Sequence, residues 1–211
     1  MAAGRARLGA RERLRRWLDR LIALALLVAF SPLMLLCAVL IRRDGGPATF
    51  AHYRVGSNGR LFRCVKFRSM CLDAERALQE ILERDADLRE EWRRSFKLAN
   101  DPRVTPTGRW LRRLSLDELP QLINVVRGEM ALVGPRPIPL VELRLYGPVR
   151  WRYLSVLPGM TGLWQVSGRN RLSYEQRVQL DDEYVRRRSI WLDCWILVKT
   201  VLVVLTRDGA S

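Results

Sequence analysis

"LIALALLVAFSPLMLLCAVLI", residues 21 to 41, is the stretch on which the fold turns, because no side chain in it carries a charge. At about 1.5 Å per residue it is long enough to cross a hydrocarbon core of about 30 Å, so a transmembrane helix is the first expectation. A cleaved signal peptide is not expected, since the run exceeds the apolar region of such peptides and no small-residue cleavage site follows it. The flanks oppose a simple crossing. Arg5, Arg7, Arg11, Arg13, Arg15, Arg16 and Arg20 precede the run and Arg42 and Arg43 follow it, so the positive-inside rule claims both ends for the cytoplasm. At the midpoint Pro32 removes a backbone donor, and the Ser31 hydroxyl is able to satisfy the carbonyl this frees. Two arrangements follow: a helix broken at Ser31-Pro32 that enters and leaves by one face, or a kinked helix that spans with its N-terminus inside. The residues alone leave both open.

A second apolar run, "SIWLDCWILVKTVLVVLTR" at residues 189–207, is interrupted by Asp193 and Lys199 and is short for a span. Trp191 and Trp195 near its start predict a helix lying in the membrane interface, against the alternative of a buried core helix.

The chain divides into a basic N-terminus with its membrane segment, residues 1–43, and a single catalytic-sized unit, residues 44–211, that includes the C-terminal helix. Its 211 residues carry 37 Lys and Arg against 22 acidic residues, a net charge of +15 that calls for an anionic partner. Cys37, Cys64, Cys71 and Cys194 show no CxxC spacing and read as free thiols in a reducing compartment. With His52 the only histidine, a His-based triad or a His-rich zinc site has almost no material.

The middle of the chain is mixed. "TFAHYRVGSNGRLFRCVKFR", residues 49–68, holds two β-rich runs around Asn58-Gly59 and predicts a hairpin. From residue 72 to 98, Leu78, Ile81, Leu82, Leu88, Trp92 and Phe96 recur at helical spacing and predict one amphipathic helix with a solvated charged face. "ANDPRVTPTGRW", residues 99–110, reads as a loop from its prolines and glycine. The expected class is α+β, mainly helical, with a small hairpin.

The chemistry concentrates in "RRLSLDELPQLINVVRGEMALVGPRP", residues 112–137. Ser115 and Glu118 fit a capping box, which does not account for Asp117. With a helix starting at Leu116, Leu116, Leu119, Leu122, Ile123 and Val126 make an apolar stripe, and Asp117, Gln121 and Asn124 a separate polar row. In the first turn the helix dipole would favour ionised Asp117. Adjacent carboxylates repel, and a hard divalent cation such as Mg²⁺, which takes carboxylates together with substrate phosphate oxygens, would relieve that conflict at Asp117 and Glu118. Arg112 and Arg113 stand before the pair, and Arg136 follows between two stiffening prolines, a placement suited to clamping phosphate. Acids, metal and planar cations together point to phosphoryl chemistry.

The ordered set of "KFRSM" at 66–70, "SLDELPQLINVVRGEMALVGPRP" at 115–137 and "LPGMTGLWQVSGR" at 157–169, behind the Ser-Pro segment, resembles the monotopic phosphoglycosyl transferases, also called bacterial sugar transferases. The resemblance covers nearly the whole chain. The stretch between "KFRSM" and "SLDELPQ" is longer than in compact members, and no large extra domain is expected ahead of the membrane segment. The resemblance implies a re-entrant membrane helix broken at Ser31 and Pro32, and a monotopic enzyme on the cytoplasmic face of the bacterial inner membrane. It implies transfer of a sugar-1-phosphate from a UDP-sugar to polyprenyl (undecaprenyl) phosphate with release of UMP, the first membrane step of exopolysaccharide assembly. Asp117 would be the nucleophile of a covalent phosphosugar intermediate, and Glu118 would hold Mg²⁺ or manage the acceptor. Arg112, Arg136, Lys66 and Arg68 would contact substrate phosphates. Membrane lipids are expected partners, nucleic acid is not, and a homodimer is compatible. Two rivals stay in view: a non-catalytic basic peripheral protein, which leaves the acid pair idle, and a metal-dependent hydrolase of nucleotide sugars.

Overall fold

The computed structural model describes residues 9–95, 98, 100–168 and 172–206; Arg5, Arg7, Phe96, Arg169 and Arg207, named above, lie outside them. The apolar run is the centre of one long helix, α1 (Ala10–Arg42), long and apolar enough by composition to cross a membrane. The expected helix-break-helix is corrected at this level, because helical backbone continues through Ser31 and Pro32. Proline cannot donate to the carbonyl four residues back, which is that of Val28, and the Ser31 hydroxyl donates to that same oxygen at 2.8 Å. The hydroxyl thus replaces the missing amide and lets the helix run on.

One stripe of α1 packs on the rest of the protein along its whole length. Ala23, Leu26 and Leu27 join a core with Leu122, Val125, Leu132 and Ile196, and Leu33, Met34, Cys37, Ala38 and Ile41 join a second with Phe67 and Leu111. The remaining faces, among them Leu21, Leu24, Val28, Leu35 and Val39, are exposed. So continuous an exposed apolar face marks a membrane-associated surface.

The predicted hairpin forms: β1 (Thr49–Val55) pairs antiparallel with β2 (Leu61–Phe67), and Asn58 and Gly59 both take positive φ in the turn. The single amphipathic helix is corrected to two, α2 (Ala74–Arg84) and α3 (Ala86–Ser95). Asp85 turns extended between them, its carboxylate accepting from the amides of Asp87 and Leu88 and so capping a new helix. The proline-rich stretch at 99–110 is only partly loop. Pro106 occupies the first turn of α4 (Pro106–Arg113), where its missing N–H costs nothing, and Thr105 caps it by accepting from Gly108 at 2.9 Å.

After a 3₁₀ turn (Leu116–Glu118) come α5 (Gln121–Arg127) and β3 (Ala131–Val133). A 3₁₀ segment (Leu140–Val149) leads to α6 (Arg150–Leu154), β4 (Gly159–Thr161), α7 (Leu163–Val166), α8 (Tyr174–Arg187) and α9 (Ile190–Thr206). A second sheet, β3 parallel to β4, had no periodicity to announce it at three residues a strand. Its two motifs meet closely: a Cβ at Gly159 would lie 2.0 Å from the Gly134 nitrogen, so only glycine fits there. The C-terminal helix buries Ile196 in the core, while Trp191 is 85% exposed and Val198, Val201 and Leu205 face outward.

Candidate active site

Asp117 and Glu118 sit in the 3₁₀ turn, not in the first turn of a long helix as expected. Ser115 lies at φ 55°, ψ 20°, in the left-handed region, where its side chain cannot cap, so the predicted capping box is absent. Pro120 then restarts the helix, which rotates the expected polar row away. Gln121 and Asn124 are fully buried, and Asn124 accepts from the Val65 amide while donating to the Arg63 carbonyl, bolting the hairpin to α5. Leu116 and Leu119 anchor the acid turn on the α1 core, and Asp117 lines a cleft.

Glu118 accepts from Lys66 Nζ at 2.5 Å, linking the acid turn to β2. Arg112, in the last turn of α4, is positioned by its Nε donating to the Ser69 hydroxyl at 2.9 Å. Asp117 therefore stands between a lysine on one wall and an arginine on the other. Burial first, and the neighbouring Glu118 second, push its carboxyl up to about 6, with Lys66 and Arg112 opposing them. This corrects the expectation that the helix dipole would favour the ionised form: a three-residue turn has little dipole to offer. The cleft encloses about 1560 Å³, with Phe50, His52, Arg54, Cys64 and Lys66 on the hairpin wall and Glu75, Gln79 and Trp92 from α2 and α3 opposite. That is ample for a nucleotide bearing a sugar.

Among the described residues no cluster of three or more His, Cys, Asp or Glu could hold a metal by itself. The acid pair alone still suits Mg²⁺, which is commonly held by one or two carboxylates with waters and substrate phosphates completing the shell. The mutual repulsion that raises Asp117 is what such a cation would relieve.

Over residues 10–207 the sequence matches the bacterial sugar transferase family. The chain belongs to that family. It is 51% identical over 197 residues to the undecaprenyl-phosphate galactose phosphotransferase of Salmonella typhimurium, covering 93% of this chain and 41% of that protein. It is 48% identical to the exopolysaccharide production protein ExoY of Sinorhizobium fredii, covering 93% of this chain and 87% of that one. With the undecaprenyl-phosphate glucose phosphotransferase of Komagataeibacter xylinus it shares 42% identity, covering 89% and 35%. The chain thus spans well under half the length of the Salmonella and Komagataeibacter relatives.

The structure divides the residues expected of a bacterial sugar transferase site into two groups. Asp117, Glu118, Lys66 and Arg112 come together at the cleft. Arg68 touches the cleft wall, but its guanidinium is committed elsewhere: it donates to both Asp44 carboxylate oxygens and to the carbonyls of Pro47 and Ile41. It latches the end of α1 to the hairpin and is placed to position rather than to bind phosphate. Arg136 does not line the cleft; its guanidinium lies 5.1 Å from the Trp164 ring centre.

Residues that sequence reasoning passed over hold the loop carrying Arg136. Tyr153 donates to the Arg136 carbonyl at 3.1 Å and accepts from the Ile138 amide at 3.3 Å. Buried Asp181 accepts from the Tyr146 hydroxyl at 2.7 Å, and burial pushes its carboxyl up to about 7. The only signal available was an acid inside an otherwise amphipathic helix.

Proposed function

We propose that this chain is a phosphoglycosyl transferase unit that moves a sugar-1-phosphate from a UDP-sugar to polyprenyl phosphate. The observation that carries the reading is Asp117 held between Lys66 and Arg112 in a large cleft. A carboxylate needs no base to act as a nucleophile. A carboxylate oxygen of Asp117 attacks the sugar-linked phosphorus, the bond from that phosphorus to the bridging oxygen breaks, and UMP leaves with the electron pair. An oxygen of the polyprenyl phosphate then attacks the same phosphorus, and Asp117 departs as carboxylate, so no net proton is consumed when the acceptor is fully ionised. Lys66 and Arg112 offset the negative charge gathered on the phosphoryl oxygens. Asp117 and Glu118 would hold Mg²⁺, which when bound neutralises the diphosphate. Galactose and glucose, named in the relatives' activities, are the proposed range of sugars.

We further propose attachment by one membrane face, the cytoplasmic one. Two ties support it: Glu12 near the start of α1 pairs with Arg188, and Asp44 just past its end pairs with Arg68, so both flanks of the apolar run are bound to the same body. A helix crossing the bilayer would carry one flank out of reach.

The test is labelling of the protein by UDP-sugar carrying ³²P in the sugar-linked phosphate. Label should appear on wild type without lipid, be chased by polyprenyl phosphate, and be absent from Asp117→Asn. Transfer without any protein-bound phosphate would sink the covalent route.

A further inference from the structure

Opposite the hairpin, the cleft has a wall of a different chemistry. Glu75 and Gln79 are four residues apart on α2, so they share one helix face, and both line the cleft that holds Asp117. Arg76 and Glu80 on the same helix pair with each other at 3.0 Å. Among the described residues the side chains of Glu75 and Gln79 make no hydrogen bond or ion pair. The charge of Glu75 nevertheless reaches His52 on β1, where burial first and Arg54 second lower the affinity of the imidazole for a proton and Glu75 opposes them. His52 lies on the strand face that carries Lys66, since its register partner is Cys64 and all three line the cleft. Trp92 of α3 lines it as well. Arg103, which donates from two nitrogens to the Asp101 carboxylate, stacks on the Trp92 ring at 5.3 Å and so backs it in the wall.

This wall does not suit a phosphate. Glu75 repels an anion, and the cations that offset phosphoryl charge, Lys66 and Arg112, stand around Asp117 on other elements. It suits an uncharged, polar group. A carboxylate, a side-chain amide and a neutral imidazole all accept hydrogen bonds, and the last two also donate. Uracil offers one N–H donor, which leaves most of these acceptors idle, whereas a hexose presents hydroxyl donors on several carbons. Side chains four apart on a helix have Cβ atoms about 6 Å apart, comparable with the width of a hexose ring. An aromatic ring in the same wall gives the C–H face of a sugar an apolar surface to lie on. Glu75, Gln79, Trp92 and His52 also fall outside the three motifs that carry the phosphoryl chemistry, so they are free to differ with the sugar while the reaction stays the same.

We propose that Glu75 and Gln79, with His52 and Trp92, bind the sugar of the donor and set which hexose is taken. This rests on the reading of the chain as a transferase that uses UDP-sugars, but not on the covalent step. The test is calorimetric binding of UDP-galactose, UDP-glucose and UDP to full-length protein in nanodiscs, in an Asp117→Asn parent so that no turnover intervenes. Glu75→Ala should raise the Kd for the preferred UDP-sugar about tenfold, for one lost charge-assisted hydrogen bond, and Gln79→Ala about fivefold, for one neutral bond. Both should leave the Kd for UDP within about twofold and narrow the difference between the two sugars. Both positions are exposed on a helix, where alanine is well tolerated, so the variants keep the fold. Glu80→Ala, which breaks the pair with Arg76 on the same helix, should change no Kd. Equal weakening of UDP and UDP-sugars would place the nucleoside at this wall, and unchanged binding in both variants would leave the wall without a ligand; either result overturns the proposal. Failure of the transferase reading looks different: a parent that binds neither UDP nor UDP-sugars would end that reading and this inference with it. Sugar-selective loss in the variants, with no ³²P label on wild type, would remove only the covalent route and leave the sugar wall standing.

Discussion

Lys66 and Glu118, 52 positions apart, meet at 2.5 Å, and this contact ties the hairpin to the turn that carries Asp117. It also sets the charge environment of Asp117, which Glu118 raises and Lys66 lowers around a value of about 6.

The nucleophile is the carboxylate, so labelling of Asp117 should fall as pH drops through about 6, the value at which half the groups hold a proton. Replacing Lys66 by Met removes a cation that favours ionisation and should move this acid limb to higher pH. Glu118→Gln removes the repelling charge and should move it to lower pH. Measuring single-turnover labelling against pH in the three proteins checks this, and parallel profiles would show that another group sets the limb.

Arg68 is read as a latch on the end of α1, with Asp44 and the carbonyls of Ile41 and Pro47 as its acceptors. Arg68→Ala leaves two carbonyls without a strong donor, a cost on the order of 2 kcal/mol, which should lower Tm by roughly 5 °C. The KM for the UDP-sugar should change little. A large rise in KM at unchanged Tm would return Arg68 to the phosphate-binding set.

Ser31 and Pro32 act as a pair, since the hydroxyl fills the place of the amide that proline lacks. Ser31→Ala alone should therefore be worse than Ser31→Ala with Pro32→Ala, which restores an amide donor to Val28. Yield of folded protein after detergent extraction should rank wild type first, the double variant next and Ser31→Ala last. In the one-face arrangement, tags at the N-terminus and after Arg43 are reached only from the cytoplasm. A tag at the N-terminus labelled from outside would end that arrangement.

How much of this was legible in the sequence depended on the range of the signal. Asn58-Gly59 announces the hairpin because positive φ at both positions is a local requirement. The membrane association of α1 follows from composition alone. The acid turn was misread because its geometry is set from outside: Ser115 is left-handed, Pro120 restarts the helix, and Asn124 turns inward to serve the backbone of a strand about sixty positions away. The split between α2 and α3 turned on Asp85 capping rather than continuing, a choice periodicity does not register. Asp117, Glu118, Lys66 and Arg112 stand out in the sequence because their motifs are dense, and the fold brings them together. Arg177 was passed over because only tertiary packing brings it to Trp164.

Chelation should stop turnover and added Mg²⁺ restore it, because two carboxylates facing a diphosphate repel it without a cation. Glu118→Gln should raise the Mg²⁺ concentration needed for half-maximal rate by about tenfold, for one lost ligand oxygen. Turnover that persists in excess chelator would remove the metal from the reading and leave the cations of Lys66 and Arg112 to carry the charge.

Asp181 offers a test on stability rather than rate. Its carboxyl is buried and pushed up to about 7, whereas in the unfolded chain it would titrate near 4. Between those values the folded protein holds a proton that the unfolded chain has released, so stability falls as pH rises through this window and the loss is complete above about 7. Below about 4 both states are protonated and the group contributes no pH dependence. Asp181→Asn keeps an oxygen able to accept from Tyr146 and abolishes the titration, so any fixed cost of the replacement appears at every pH. The difference in unfolding free energy between wild type and variant should therefore drift against wild type from pH 4 to pH 8, by an amount on the order of a few kcal/mol. A wild type that gains on the variant over the same span would mean that Asp181 is ionised in the folded protein.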